Sequence, residues 1–271
     1  MKGENVSNKI LENLRQGQIS RGVNIQTDSP DIVEMVGHAG YDHVMIDWEH
    51  GSFGTNSVVA MIRAAQFADV TPIVRIPSND EVWIKRVLDA GALGVVVPHI
   101  STREQAESAV RAARYRPRAA GDTVAARGAC PSIRAARHMA SDWESFVNWS
   151  NDNILVAVAI ESPQGVAHLG QILEVPGIDA VFLGTFDLAH DMGFFGDNSA
   201  GEVAAQIDRI VEVAERARVP LFATLYQGQS DEEVAQETRR WKALGASIFN
   251  SISDRRLILQ GLKRRLAQVE I

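Results

Sequence analysis

Eight short apolar runs, each followed by a helical pattern, constrain this chain more than any other feature. They fall at 22–26, 43–47, 72–76, 93–98, 154–160, 178–183, 220–224 and 247–249. Near-continuous apolar runs of this length read as strands buried on both faces, and such strands belong to parallel sheets covered by helices. Start and stop signals bound the helices between them. Ser29-Pro30-Asp31 supplies an N-cap, a proline at the first helical position and an acid in the first turn, and Gly40 supplies the stop. Similar patterns cover 56–67, 81–90, 102–115, 200–218, 231–244 and 254–269, and another, opened by the Ser162-Pro163 pair, starts near Gly165. A short amphipathic helix over Asn8 to Arg15, with Ser7 as its N-cap, precedes the first strand. Eight strand–helix units predict a closed (β/α)8 barrel, a TIM barrel, as a single domain over 1–271. A doubly wound open sheet would carry a glycine-rich phosphate turn after its first strand, and Thr27-Asp28-Ser29 is not one.

The alternation lapses once, between Arg116 and Asn153. Pro117, Gly121, Gly128 and Pro131 predict a mobile loop over 116–126, and a short helix is expected over 142–151. A long loop inside a compact α/β unit is usually functional. Composition excludes several functions. Acidic side chains outnumber basic ones 34 to 27, giving a net charge of −7 with no basic block, so nucleic acid is not an expected partner. Cys130 is the only cysteine, so neither an intrachain disulfide nor a cysteine-built zinc site can form. No run of about 18 apolar residues and no apolar leader core occur, so the expectation is a soluble cytoplasmic protein with no membrane partner.

Polar residues at strand ends carry the expected chemistry, because a barrel of this kind offers ligands at the C-terminal mouth of its strands. The fifth run ends in Glu161, and the sixth breaks at Gly184-Thr185-Phe186-Asp187. Adjacent parallel strands lie about 5 Å apart, so Glu161 and Asp187 can share one hard cation. Taken singly, each acid would serve equally well at a helix N-terminus. Two carboxylates with substrate and water oxygens suit Mg²⁺ or Mn²⁺ better than zinc. Asp47-Trp48-Glu49-His50-Gly51 follows the second strand, and there Asp47 would raise the basicity of His50 as a proton carrier. His99, also after a strand, is the rival base. Arg75 ends the third strand, either in a structural ion pair or aimed at a carboxylate or enolate oxygen. Asp89 stands at a helix C-terminus, where the dipole disfavours an acid, which points to contacts elsewhere.

With these segments in place, the chain resembles the HpcH/HpaI family of class II, metal-dependent pyruvate aldolases. The resemblance runs through Gly40-Tyr41-Asp42 to Gly51, Val74-Arg75-Ile76-Pro77, Leu88-Asp89-Ala90-Gly91-Ala92, Ile160-Glu161-Ser162 and Gly177 to Leu188, in family order. It implies reversible cleavage of a 4-hydroxy-2-oxo acid to pyruvate and an aldehyde, through a pyruvate enolate held at a divalent cation (Mg²⁺, Mn²⁺ or Co²⁺). It also implies Glu161 and Asp187 as metal ligands, His50 as acid/base and Asp89 as the acid that raises its basicity. Arg75 would stabilise the enolate. Backbone amides around Gly184, Phe186 and Asp187 would hold the substrate carboxylate. Similar proteins are homohexamers that exchange their last helix.

The sequence departs from that family at four places. Ala159 stands where glutamine usually touches the pyruvyl group, and Asn24 stands where tryptophan is common. Cys130 replaces a glycine within a loop that otherwise resembles the family at Arg127-Gly128 and Arg134-Ala135-Ala136-Arg137, behind an Ala120-Gly121-Asp122-Thr123 stretch. Leu225-Tyr226-Gln227 follows the seventh strand, where smaller residues are expected. Two other readings follow. One is a 2-oxo acid decarboxylase on the same site. The other, favoured by Ala159, is a non-catalytic protein that binds a 2-oxo acid.

Overall fold

Strands buried along nearly their whole length need helices on one side and a packed interior on the other, and a closed barrel provides both. The computed structural model describes residues 7–117, 125–139, 142–225 and 230–269. Its strands are β1 (Ser20–Ile25), β2 (His43–Asp47), β3 (Thr71–Arg75), β4 (Gly94–Val97), β5 (Leu155–Ile160), β6 (Ala180–Leu183), β7 (Leu221–Thr224) and β8 (Ala246–Ser251). They pair in parallel in that order and close, β8 on β1. The helices are α1 (Lys9–Arg15), α2 (Pro30–His38), α3 (Thr55–Phe67), α4 (Glu81–Asp89), α5 (Arg103–Ala113), α6 (Trp143–Asn153), α7 (Pro163–Leu173), α8 (Thr185–Asp191), α9 (Gly201–Ala217), α10 (Asp231–Ala243) and α11 (Asp254–Ala267). The predicted eight-unit barrel is what forms.

The period of two along a strand sorts each side chain to one of two cores. Met45, Ile73, Val96, Leu155, Ala157, Ala159, Ala180, Phe182, Phe222 and Ile248 fill the barrel. The alternate positions, such as Val44, Val74, Val95, Val156 and Val158, face the helices. Ile10 of α1 is fully buried in the inner cluster, with Leu11 and Leu14 packed against it, so α1 plugs the end of the barrel where the strands begin.

Low in the barrel a polar group interrupts this core. His43 is fully buried, between Ser20 (Oγ to Nδ1, 3.0 Å) and Asn250 (Oδ1 to Nε2, 3.1 Å). Gly22 faces it because a Cβ there would collide with the imidazole. Burial pushes the His43 pKa down to about 4, although the Asn250 bond and Asp42 oppose this.

Three local details differ from the sequence expectations. The cap of α1 is Asn8, whose side chain accepts from the Leu11 amide, not Ser7. Helix α7 is opened by Ser162 and Pro163 as expected, but starts at Pro163 itself, two residues ahead of Gly165. A short helix, α8, follows β6 before α9; Gly193 and Gly196, both at positive φ, lie in the turn that separates the two. Ala120 to Thr123, Tyr226, Gln227 and most of the loop expected over 116–126 lie outside the described residues.

Candidate active site

The inner row of side chains continues past the apolar core to the C-terminal mouth. Two residues beyond Met45 and Ile73 on that face come Asp47 and Arg75. Two residues beyond Ala159 and Phe182 come Glu161 and Gly184. Barrel geometry therefore brings Asp47, Arg75, Glu161 and Gly184 to one place. Asp187 follows in the first turn of α8. The capping alternative fails for Glu161, because Ser162 caps α7.

Arg75 is almost fully buried. It grips Asp47 at two points, and its Nη1 lies 3.2 Å from Glu49 Oε2. The guanidinium carbon also sits 5.7 Å from the centre of the Phe182 ring. Gln26 Nε2 and Asn24 Nδ2 donate to Asp47 Oδ2, at 2.8 and 3.3 Å. Burial alone would raise the Asp47 pKa. The Arg75 bonds and charge, with help from Gln26 and the His50 amide, hold it below the usual carboxylate range. Both sequence readings of Arg75, structural ion pair and mouth-facing cation, thus describe one arrangement.

His50 is exposed at the mouth. Asp47 does not touch its ring; Asp47 Oδ1 accepts the His50 backbone N–H at 3.3 Å. The nearer acid is Glu49, with Oε2 3.8 Å from His50 Nε2. Burial raises the Glu49 pKa, against the opposing charges of Arg75, His50 and His99.

His99 also meets Glu49, Nε2 to Oε1 at 3.2 Å. Its Nδ1 lies 3.1 Å from Glu161 Oε2, and its backbone N–H donates to that same oxygen at 3.0 Å. The Glu161 pKa is raised, first by burial and then by the charges of Glu49 and Asp187, with the His99 amide opposing. Glu49 and His99 therefore link Glu161 to Arg75. Sequence reading gave Glu49 no role and His99 only that of a rival base. The available signal was their position just past strands, beside residues already singled out.

Asp89 is not brought to this site within the chain. Barrel helices run antiparallel to their strands, so the last residue of α4 lies at the end where the strands begin. There it pairs with Arg127, Oδ1 to Nη2 at 2.6 Å. Its poor position by helix dipole is explained by that ion pair, and the role expected for it beside His50 is not met inside one chain.

The donor set fits a divalent cation. Asp47, Glu49, Glu161 and Asp187 bring four carboxylates together against one guanidinium, and all are hard oxygen donors. A Cβ on Gly184 would collide with Glu161 Cγ and reach within 2.8 Å of Oε1, so only glycine leaves that oxygen open on the β6 side. Among the described residues no three His, Cys, Asp or Glu side chains are arranged as a ready-made ligand cage. At Ala159 no amide reaches the mouth; its neighbour across the β5–β6 ladder is Phe182.

Comparison with known proteins agrees with this geometry. The family profile described as HpcH/HpaI aldolase/citrate lyase matches residues 21–253. A hydroxypyruvate/pyruvate aldolase of Paraburkholderia phytofirmans is 32% identical over 260 residues, covering 95% of this chain and 98% of its own. A 4-hydroxy-2-oxo-heptane-1,7-dioate aldolase of Escherichia coli is 33% identical over 79% of this chain and 80% of its own. The crystal structure of an HpcH/HpaI aldolase/citrate lyase family protein from Burkholderia cenocepacia superposes with a TM-score of 0.86 at 28% identity, covering 97% of this chain and 99% of that one.

Proposed function

This chain belongs to the HpcH/HpaI aldolase/citrate lyase family, and on that premise we propose that it is a carbon–carbon lyase. It cleaves a 4-hydroxy-2-oxo acid reversibly to pyruvate and an aldehyde, with one barrel domain carrying the site. The observation that carries this reading is the convergence of Glu161, Asp187, Arg75 and His50 at one barrel mouth, with more carboxylates than the local cations balance.

Glu161 and Asp187 would hold a divalent cation, with Mg²⁺, Mn²⁺ and Co²⁺ as the candidates. When bound, that cation supplies Lewis-acid polarisation of the 2-oxo group. The chain does the rest. The backbone N–H groups of Phe186 and Asp187, next to Gly184 at the start of α8, orient the substrate carboxylate. His50 takes the proton from the 4-hydroxyl group. The C3–C4 bond breaks, the aldehyde leaves, and its bonding pair moves into the enolate of pyruvate. Arg75, held in place by Asp47, stabilises the enolate oxygen. Protonation at C3 completes pyruvate. No lysine Schiff base is needed.

The partners are small molecules, a 2-oxo acid and an aldehyde. No helix among the described residues is long and apolar enough to cross a membrane. A homo-oligomer is supported by α11, whose Leu257, Ile258, Leu259, Leu262 and Leu266 are exposed; a hexamer with exchanged last helices is what the family resemblance implies. The test of function is an assay of pyruvate against a panel of aldehydes with each cation. Condensation products appearing only with cation support the lyase. Release of CO₂ without aldehyde would favour the decarboxylase, and tight pyruvate binding without turnover the binding protein.

A further inference from the structure

His99 stands at the barrel mouth in an uncommon backbone state. Its φ of 56° lies in the left-handed region, which costs a residue with a Cβ and persists where neighbouring contacts hold it. Its side chain is 69% exposed, so burial in a core does not explain it. What the backbone state achieves is a hydrogen bond from the His99 N–H to Glu161 Oε2 at 3.0 Å, with the ring Nδ1 brought into ion-pair range of the same oxygen at 3.1 Å. The other ring nitrogen lies 3.2 Å from Glu49 Oε1. The second Glu161 oxygen, Oε1, lies instead over Gly184, towards the start of α8 and Asp187.

We propose that His99 is a positioning residue that makes Glu161 a one-oxygen ligand. Its backbone N–H, with the ring set beside it, holds Oε2 and leaves Oε1 turned to the cation. This rests on the reading of Glu161 and Asp187 as cation ligands and adds to it a residue outside the ligand pair. A carboxylate with one oxygen taken suits the compact octahedral shell of Mg²⁺ or Mn²⁺. A carboxylate free to bind through both oxygens suits larger Ca²⁺. Partners that orient a ligand in this way are commonly worth about 10–100-fold in metal affinity.

The test is Mn²⁺ and Ca²⁺ binding to the full chain by calorimetry, with Mn²⁺ also followed by electron paramagnetic resonance, on wild type, Glu161→Gln, His99→Gly and His99→Asn. Glycine adopts the left-handed backbone without strain, so His99→Gly keeps the fold and the amide but loses the ring. It is expected to weaken Mn²⁺ by about 10–100-fold and to lower the ratio of Mn²⁺ to Ca²⁺ affinity. Asparagine tolerates the same backbone and carries an N–H donor near the Nδ1 position, so His99→Asn is expected to recover most of the Mn²⁺ affinity. The wild-type Mn²⁺ spin-echo spectrum should show no directly bound nitrogen. Undiminished Mn²⁺ binding in His99→Gly, while Glu161→Gln loses it, would overturn the role of His99 and leave the metal site standing. So would His99→Asn as weak as His99→Gly, or an imidazole nitrogen on the cation. Unchanged Mn²⁺ binding in Glu161→Gln would instead overturn the metal site and this inference with it.

Discussion

Arg75 and Asp47 form a buried two-point ion pair, with Nε 2.9 Å from Oδ1 and Nη2 2.6 Å from Oδ2. The pair fixes the guanidinium so that its remaining edge faces Glu49 and the mouth. Stability and chemistry therefore share one side chain. Arg75→Lys keeps the charge but cannot supply both bonds at once. It should lose about 1–3 kcal/mol of stability, the cost of leaving a buried acceptor short of a partner. It should also lower kcat more than it raises KM, since the enolate contact strengthens in the transition state. Thermal melts and steady-state kinetics on this variant measure both effects. A destabilised variant with normal turnover would leave Arg75 a purely structural ion pair.

His50 is exposed beside Glu49, free to reach a substrate hydroxyl. His50→Ala should reduce turnover by about 10²–10⁴, the usual weight of general acid–base help. Because the ring does not line the core, the melting temperature should stay near that of the wild type. A His99→Ala variant slower than His50→Ala would reassign the base.

His43 gives the fold a pH dependence independent of the active site. The unfolded chain protonates this histidine near its ordinary value of 6.5, while the folded chain resists protonation until about 4. The unfolded state therefore binds more protons between those values. The contribution of His43 is complete above pH 6.5 and is lost as the pH falls towards 4, by roughly 3 kcal/mol across the window. Urea denaturation at stepped pH should show that loss in the wild type and a shallower one in His43→Asn. Parallel profiles would mean that His43 titrates normally in the folded protein.

Helix α1 closes the barrel through Ile10, which no solvent reaches. Ile10→Ala should cost about 2–5 kcal/mol, as large-to-small changes in a core do. The mouth lies at the other end, so kcat in the folded enzyme should not change. Denaturant unfolding and kinetics at low temperature check both parts.

The barrel was legible because its strands are buried on both faces, so each appears as an apolar run without competing patterns. The Glu161 and Asp187 positions were legible for the same reason: an acid just past such a run is at the mouth by topology. Asp89 was legible as misplaced, but its partner Arg127 is 38 residues away in an irregular segment, and no periodicity announces that contact. Helix α8 has seven residues, too short for a periodic pattern to emerge. The Glu49–His99–Glu161 network depends on a left-handed backbone at His99, which local sequence does not dictate for histidine. The choice of Asn8 over Ser7 as cap separates two adjacent residues with similar capping ability.

The most direct measurement needs no knowledge of the aldehyde. Formation of the enolate exchanges the methyl protons of pyruvate with solvent, so the methyl signal in D₂O reports it by NMR. The wild-type protein with Mn²⁺ or Mg²⁺ should deplete that signal at a catalytic rate. Excess chelator, Glu161→Gln and Asp187→Asn should each stop the exchange. Exchange that continues at full rate in chelator, or wild-type protein with every cation and no exchange at all, would contradict a cation-assisted enolate at this barrel mouth.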